Sequence, residues 1–291
     1  MSDIRLIQAV LSAPETGSVV LETTLSIARL FTAHFRVLHV LPNPALSIPL
    51  VGEAMLGNMI EDTMRTCEEQ GHRKRDVLKK LFDQWTCDRQ VPVVSDPQVA
   101  SYPTVSWHEA IGIEDDVAAN LGRLCDLSVV GLPIAGEEDP WLEATLNNVL
   151  MESGRPILVP PRTAPTHIGT RIVIAWNGSQ ESTRAVHAAL PLLKRADVVT
   201  ILALQDEDAP PLQNLAPWLA LHGVRAETQQ LGPPGITGEK IGEALLRTVS
   251  SCRADLLVMG AFGHSRLRQL ILGGVTRHVL DHAEVPLFMR H

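Results

Sequence analysis

Two Rossmann-like α/β domains in tandem, each a doubly wound parallel sheet, are predicted from three observations. Short apolar runs alternate with segments of helical periodicity, that order of runs occurs twice, and 291 residues suit two domains of ordinary size. Hydrophobic residues make up 45% and charged residues 20%, so each half can build a core.

The second half shows the order most clearly. Arg171–Trp176 is apolar and β-branched, the pattern of a strand buried on both faces of a parallel sheet. Asn177, Gly178 and Ser179 break it, and Ser179 suits the cap of a helix from Gln180 to about Leu190. Val198–Leu204 reads as a second buried strand, Leu215–Leu221 as a short helix, and Val224–Leu231 as a third strand. Helix Gly238–Ser251 carries Ile241, Ala244, Leu245 and Val249 at helical spacing. Strand Asp255–Gly260, helix Gly274–His282 and strand Val285–Met289 close the half.

The first half repeats this order with strand Arg5–Leu11, helix Val19–Ala33 and strand Phe35–Leu41. Asp126–Gly131 mirrors Asp255–Gly260, and Gly154–Val159 mirrors Glu284–Met289. Pairing Val40 with Ala203 gives an offset of 163, and pairing Gly131 with Gly260 gives 129. The first half therefore holds an insertion of about 34 residues between its second and fourth strands. Met55, Met59, Met64, Cys67, Leu78, Phe82 and Trp85 space that insertion as a long amphipathic helix, with the Met stripe expected in the core. Pro160, Pro161 and Pro165 stiffen a linker, which puts the expected domains at 1–165 and 166–291. The closing strands Pro156–Val159 and Val285–Met289 are apolar, so the halves are expected to pair through them as an internal pseudo-dimer, and a further homodimer of whole chains is also expected.

Composition excludes several function classes. A net charge of −8 and only 4% aromatics argue against nucleic acid and anionic membrane surfaces as partners. No apolar run approaches the roughly 18 residues needed to span a bilayer, and Met1–Leu6 does not read as a secretory signal. Four scattered cysteines without metal-ligand spacing read as reduced thiols, so a cytoplasmic location is expected. His278 and His282 stand four apart on one helix, but no third ligand accompanies them, and no metal centre is expected. Neither a nucleophile elbow nor a Walker loop occurs, and no lysine adjoins the glycines, so enzymatic chemistry beyond slow ATP hydrolysis finds no support.

The segment that carries chemistry runs from Met259 and Gly260 through Gly263 and His264 to Gly273, Gly274, Val275 and Thr276. It leaves a buried strand and opens into a helix, where free backbone N–H groups and the positive end of the helix dipole favour phosphate. Tight-turn glycines are the bland alternative. This G-x2-G-x9-G pattern, with Ile172–Ser182 before it and His278–Pro286 after it, resembles the nucleotide-binding signature of universal stress proteins. The resemblance covers nearly all of the second half and recurs weakly in the first. It implies ATP or AMP as the ligand, with or without Mg2+, in an adenine nucleotide alpha hydrolase-like fold. By that resemblance Ala175 and Asn177 meet adenine and ribose, and Leu202–Leu204, with Ala203 at its centre, walls the base. Gly260 and Gly263, with Met259 just before them, approach the ribose and first phosphate, and Gly273, Gly274, Val275 and Thr276 hold the later phosphates; His264 and Arg266 follow the loop and read equally as phosphate contacts or as solvated loop residues. Asn177 stands where the family usually has aspartate, and Gly274 where it often has serine. In the first half Pro133 and the acids Glu137, Glu138 and Asp139 replace the loop, so one nucleotide per chain is expected, in the second half only. The functions implied are a nucleotide-binding stress module, an adenylating or slowly ATP-hydrolysing enzyme of the same fold group, and a nucleotide-free scaffold.

Overall fold

The computed structural model describes residues 3–47, 57–97, 99–132, 140–203, 215–231, 239–261 and 274–291. Contacts divide the chain into two compact units. One is Arg5–Ser153, and the other is Gly154–His291 with the residues before Arg5. The proline-rich segment at 160–165 lies inside the second unit, beyond this division.

In the first unit the strands are β1 (Leu6–Val10), β2 (His34–Pro42), β3 (Thr104–Gly112) and β4 (Leu127–Val130). They are parallel and stand in the order β3-β2-β1-β4. Helix α1 (Pro14–Phe31) starts five residues before the expected Val19, because Pro14 suits the first helical turn, where no N–H is needed. It buries Val20, Leu21, Leu25, Ile27 and Ala28. A short helix, α2 (Pro44–Ser47), precedes α3 (Gly57–Arg89), which is the expected insertion. At 33 residues, α3 is about 50 Å long by its rise per residue, more than a small sheet can cover. Its C-terminal half therefore does the packing. Leu78, Phe82 and Trp85 are buried, and Glu22 of α1 accepts from the Trp85 indole at 2.8 Å and from Arg89 at 2.6 Å. Of the expected Met stripe, Met64 is half-buried, as is Cys67, while Met55 and the Met59 side chain lie outside the described residues. Helices α4 (Glu114–Gly122) and α5 (Pro140–Glu152) complete this unit and pack on each other.

The second unit begins with β5 (Ile157–Val159) and contains β6 (Arg171–Trp176), β7 (Val198–Ala203), β8 (Ala226–Gln230), β9 (Leu256–Gly260) and β10 (Leu287–Arg290). Their order is β5-β10-β9-β6-β7-β8. All pairs are parallel except β5 with β10, which run antiparallel with Leu287 opposite Val159 and Met289 opposite Ile157. These are the two closing strands that the sequence singles out. The helices between them are α6 (Gln180–Leu193), α7 (Leu215–Leu221), α8 (Glu239–Ser251) and α9 (Gly274–His282), and each falls where the sequence puts it.

One device recurs in both units. Asp255, just before β9, accepts N–H bonds from Gly169, Thr170 and Arg171 at 2.9–3.0 Å. Asp126, just before β4, accepts from Arg5 and Leu6 at 2.8 and 3.0 Å. Each carboxylate satisfies the open start of the neighbouring strand with charge-assisted bonds and so fixes its register. Among the described residues, no helix is long and apolar enough to cross a membrane.

Candidate functional site

Three strands of the second unit end side by side. Ala175 lies between Leu202 and Met259 in adjacent ladders, and Trp176 is level with Ala203. The carboxyl ends of parallel strands are where an open sheet presents ligands, and this one presents small side chains there, Ala175 and Ala203. Beyond β6 the chain turns sharply. Gly178 takes φ 72°, a left-handed conformation that glycine adopts without steric cost. The Asn177 Oδ1 accepts the Ser179 N–H at 3.1 Å, and the Ser179 Oγ accepts the Ser182 N–H at 3.1 Å, capping α6. The Asn177 carbonyl oxygen is thus committed to its own turn. Its Nδ2, a donor, is the group left to meet a hydroxyl.

Gly260 owes its identity to packing. A Cβ there would stand 2.4 Å from the Ser182 nitrogen and 2.6 Å from the Glu181 carbonyl carbon, so the end of β9 lies directly against the first turn of α6. Gly274, Val275 and Thr276 form the first turn of α9, with Gly274 exposed and Thr276 buried. Gly263, His264 and Gly273 lie outside the described residues. The His278 ring packs over Gly242 of α8, where an added Cβ would come within 2.8 Å of it, and it stacks on His282 with ring centroids 4.3 Å apart. Helix packing accounts for this pair. Among the described residues no cluster of three or more metal-ligating side chains occurs.

The same place in the first unit is built differently. Strand registers make Ser12 the counterpart of Asn177 and His39 the counterpart of Ala203, one position from the Val40 pairing made by sequence alone. The Ser12 and Thr145 hydroxyls both donate to Glu114 Oε1, at 2.5 and 2.9 Å. His39 is buried, shares a hydrogen bond of 3.1 Å between its Nδ1 and the Leu11 carbonyl, and stacks on Trp107 at 6.1 Å. Burial holds the His39 pKa below its usual value, against the opposing pull of the Leu11 carbonyl and Glu114. Its Nε2 is buried without a partner. His39 thus stands where the second unit has Ala203, and Glu114 holds the Ser12 hydroxyl where the second unit has Asn177.

Residues 170–290 match the family model described as the universal stress protein family. Over this segment the chain is similar to the universal stress protein family. A curated universal stress protein of Synechocystis sp. is 26% identical over 175 residues, which is 56% of this chain and 57% of that relative. The match thus spans little more than half the length of the relative. The fold likeness reaches further than the sequence likeness. A universal stress protein from Archaeoglobus fulgidus superposes with a TM-score of 0.60 at 15% identity, over 98% of this chain and 97% of that one. A functionally unknown protein from Pseudomonas aeruginosa gives 0.53 at 15% identity, over 99% and 92%. These structural likenesses establish the α/β fold. Neither Ser12 nor His39 falls inside the family match, and no local motif marks them, since both join partners far along the chain.

Proposed function

We propose that the chain is a universal stress protein, that its Gly154–His291 unit binds one adenine nucleotide, ATP or AMP, and that it works as a regulatory binding module. The family match over residues 170–290 carries this reading. The small side chains at Ala175 and Ala203 and the Asn177 turn support it, because a flat base needs an open apolar level and a ribose needs a nearby polar group. The glycine segment through Gly263, Gly273, Gly274, Val275 and Thr276 supplies the backbone donors for the phosphates. In the first unit, His39 takes the place of Ala203 and Glu114 holds the Ser12 hydroxyl in the place of Asn177, which supports one site per chain.

A nucleotide, when bound, supplies a phosphate chain whose charge the N–H groups at the start of α9 offset. Asn177 orients the ribose by donating from Nδ2, and Ala175 and Ala203 keep water from the base. A nucleotide-free scaffold is the second reading, because packing against α6 alone explains Gly260. Mass spectrometry of the extract from denatured, freshly purified protein separates the two, with co-purified ATP or AMP expected. Calorimetry with ATP and AMP on wild type and on Gly263→Val gives the direct test. Equal binding by both proteins removes the glycine loop from the site, and no binding by wild type leaves the scaffold.

A further inference from the structure

Strand β3 stands at the end of the strand order in its unit, with β2 as its neighbour. Its outer side is covered at one point. The Val105 N–H donates to the Pro92 carbonyl at 3.0 Å, and the Val105 carbonyl accepts from the Val94 N–H at 2.8 Å. Backbone groups alternate in direction along a strand, so Trp107, Glu109 and Ile111 turn their N–H and C=O groups to this same outer side. Among the described residues none of these six groups takes a hydrogen bond. Nor are the side chains covered, since Ile111 is 69% exposed and His108 and Glu109 are exposed beside it. Unmade backbone bonds next to an apolar side chain in solvent are a template for a further strand.

The residues along the edge select what can pair with it. An antiparallel strand centred on Glu109 meets all six groups and places its outer residues opposite Trp107 and Ile111. A second copy of β3 in that register sets Glu109 against Glu109, two like charges directly opposite, and any other register leaves part of the edge unpaired. The acid thus works against self-pairing. It also selects for a cation. The Glu109 Oε1 accepts from the Trp107 indole at 2.8 Å, and its Oε2 stands 3.9 Å from the Arg75 Nη1. Arg75 and Lys79, the cations beside it on α3, are bonded to acids of their own, Asp76 at 2.8 Å and Asp83 at 2.5 Å. The Trp107 ring, with centroids 5.2 Å from Phe82 and 6.1 Å from His39, is a fixed and half-buried neighbour for an apolar residue.

We propose that the open stretch of β3 is a docking edge for an extended protein segment, which adds as an antiparallel strand with a lysine or arginine opposite Glu109 and β-branched residues opposite Trp107 and Ile111. Fluorescence anisotropy of the full chain with a fluorescein-labelled Thr-Val-Thr-Lys-Thr-Val-Thr peptide tests it. Wild type is expected to bind this peptide about tenfold more tightly than the same peptide with glutamate at its centre, because an opposite charge across the strands is exchanged for a like one. Glu109→Lys is expected to reverse that preference, which a general attraction between a chain of net charge −8 and a basic peptide does not do. N-methylation of the central lysine's backbone nitrogen removes the donor that faces the Glu109 carbonyl, and is expected to abolish binding with the protein unaltered. Glu109→Pro removes an N–H that bonds nothing within the chain, so an edge strand tolerates it, and peptide binding is expected to be lost. No binding of the lysine peptide, equal binding of its N-methylated form, or an unchanged preference in Glu109→Lys overturns the proposal. Sedimentation that shows a wild-type dimer dissociated by Glu109→Pro assigns the edge to a second copy and overturns it as well.

Discussion

Single atoms decide the chemistry at several positions of this chain. Gly260 is one, because the α6 backbone leaves no room for a methyl group. Gly260→Ala is expected to cost about 1–3 kcal/mol of unfolding free energy in urea titrations, the scale of overpacking against backbone. An unchanged midpoint in that titration sinks the packing account. At Asn177 the Oδ1 already holds the Ser179 N–H. Asn177→Asp keeps that bond and replaces the Nδ2 donor with a second acceptor, so nucleotide affinity by calorimetry should rise by about 0.5–1.5 kcal/mol, one hydrogen bond's worth. His39 gives a pH signature. Its pKa is lowered from 6.5 in the folded chain, and that of His34 likewise, in both cases chiefly by burial. Below pH 6.5 the unfolded chain takes up protons that the folded chain refuses, so stability is full above that value and falls as the pH drops toward the folded pKa values. Urea midpoints from pH 8 to 5 should show the fall, and His39→Leu should make it shallower. A slope that His39→Leu leaves unchanged removes His39 as its source.

At the scale of elements, how far the sequence could be read depended on how local each signal was. Buried strands such as Arg171–Trp176 are apolar runs that nothing else resembles, and the length of α3 followed from two offsets. The edge strand Thr104–Gly112 carries His108 and Glu109 among its apolar residues and has no such run, because only its first three residues are fully buried. The extent of burial along α3 was also not legible, since amphipathic spacing runs on where the helix has passed beyond the surface it packs on. Phe82, buried against Trp107 at 5.2 Å, and Met64, half-buried, test this division. Phe82→Ala should cost about 3–5 kcal/mol in chemical denaturation, whereas Met64→Ala should stay within about 1 kcal/mol. The strand ends that present Ala175, Ala203 and Met259 were legible for the same reason as the strands. The Ser12, Glu114 and Thr145 network was not, because it joins residues 102 and 31 positions apart.

At the scale of the chain the expectation is an unequal pair of units, one with Ala203 and Asn177 at its strand ends and one with His39 and Ser12 in their places. Equilibrium dialysis of the full chain with ATP should saturate at one nucleotide per chain. Two per chain would mean that His39 and Glu114 do not close the first unit. Ligand that binds only folded protein stabilises it by about 2.7 kcal/mol at a concentration of 100 Kd, so saturating nucleotide should also raise the melting temperature.

The antiparallel ladder between β5 and β10 has a consequence in time. Leu287 follows its partner Val159 by 128 positions. At a synthesis rate of about 5–20 residues per second, β5 leaves the ribosome roughly 6–26 seconds before the strand that pairs with it exists. Isolated hairpins form in about 1–10 microseconds, so this pairing is limited by translation and not by diffusion of the chain. For those seconds Ile157, Leu158 and Val159 are an apolar edge with a vacancy on one side, and the nascent chain passes through an interval of exposure that the finished molecule no longer records.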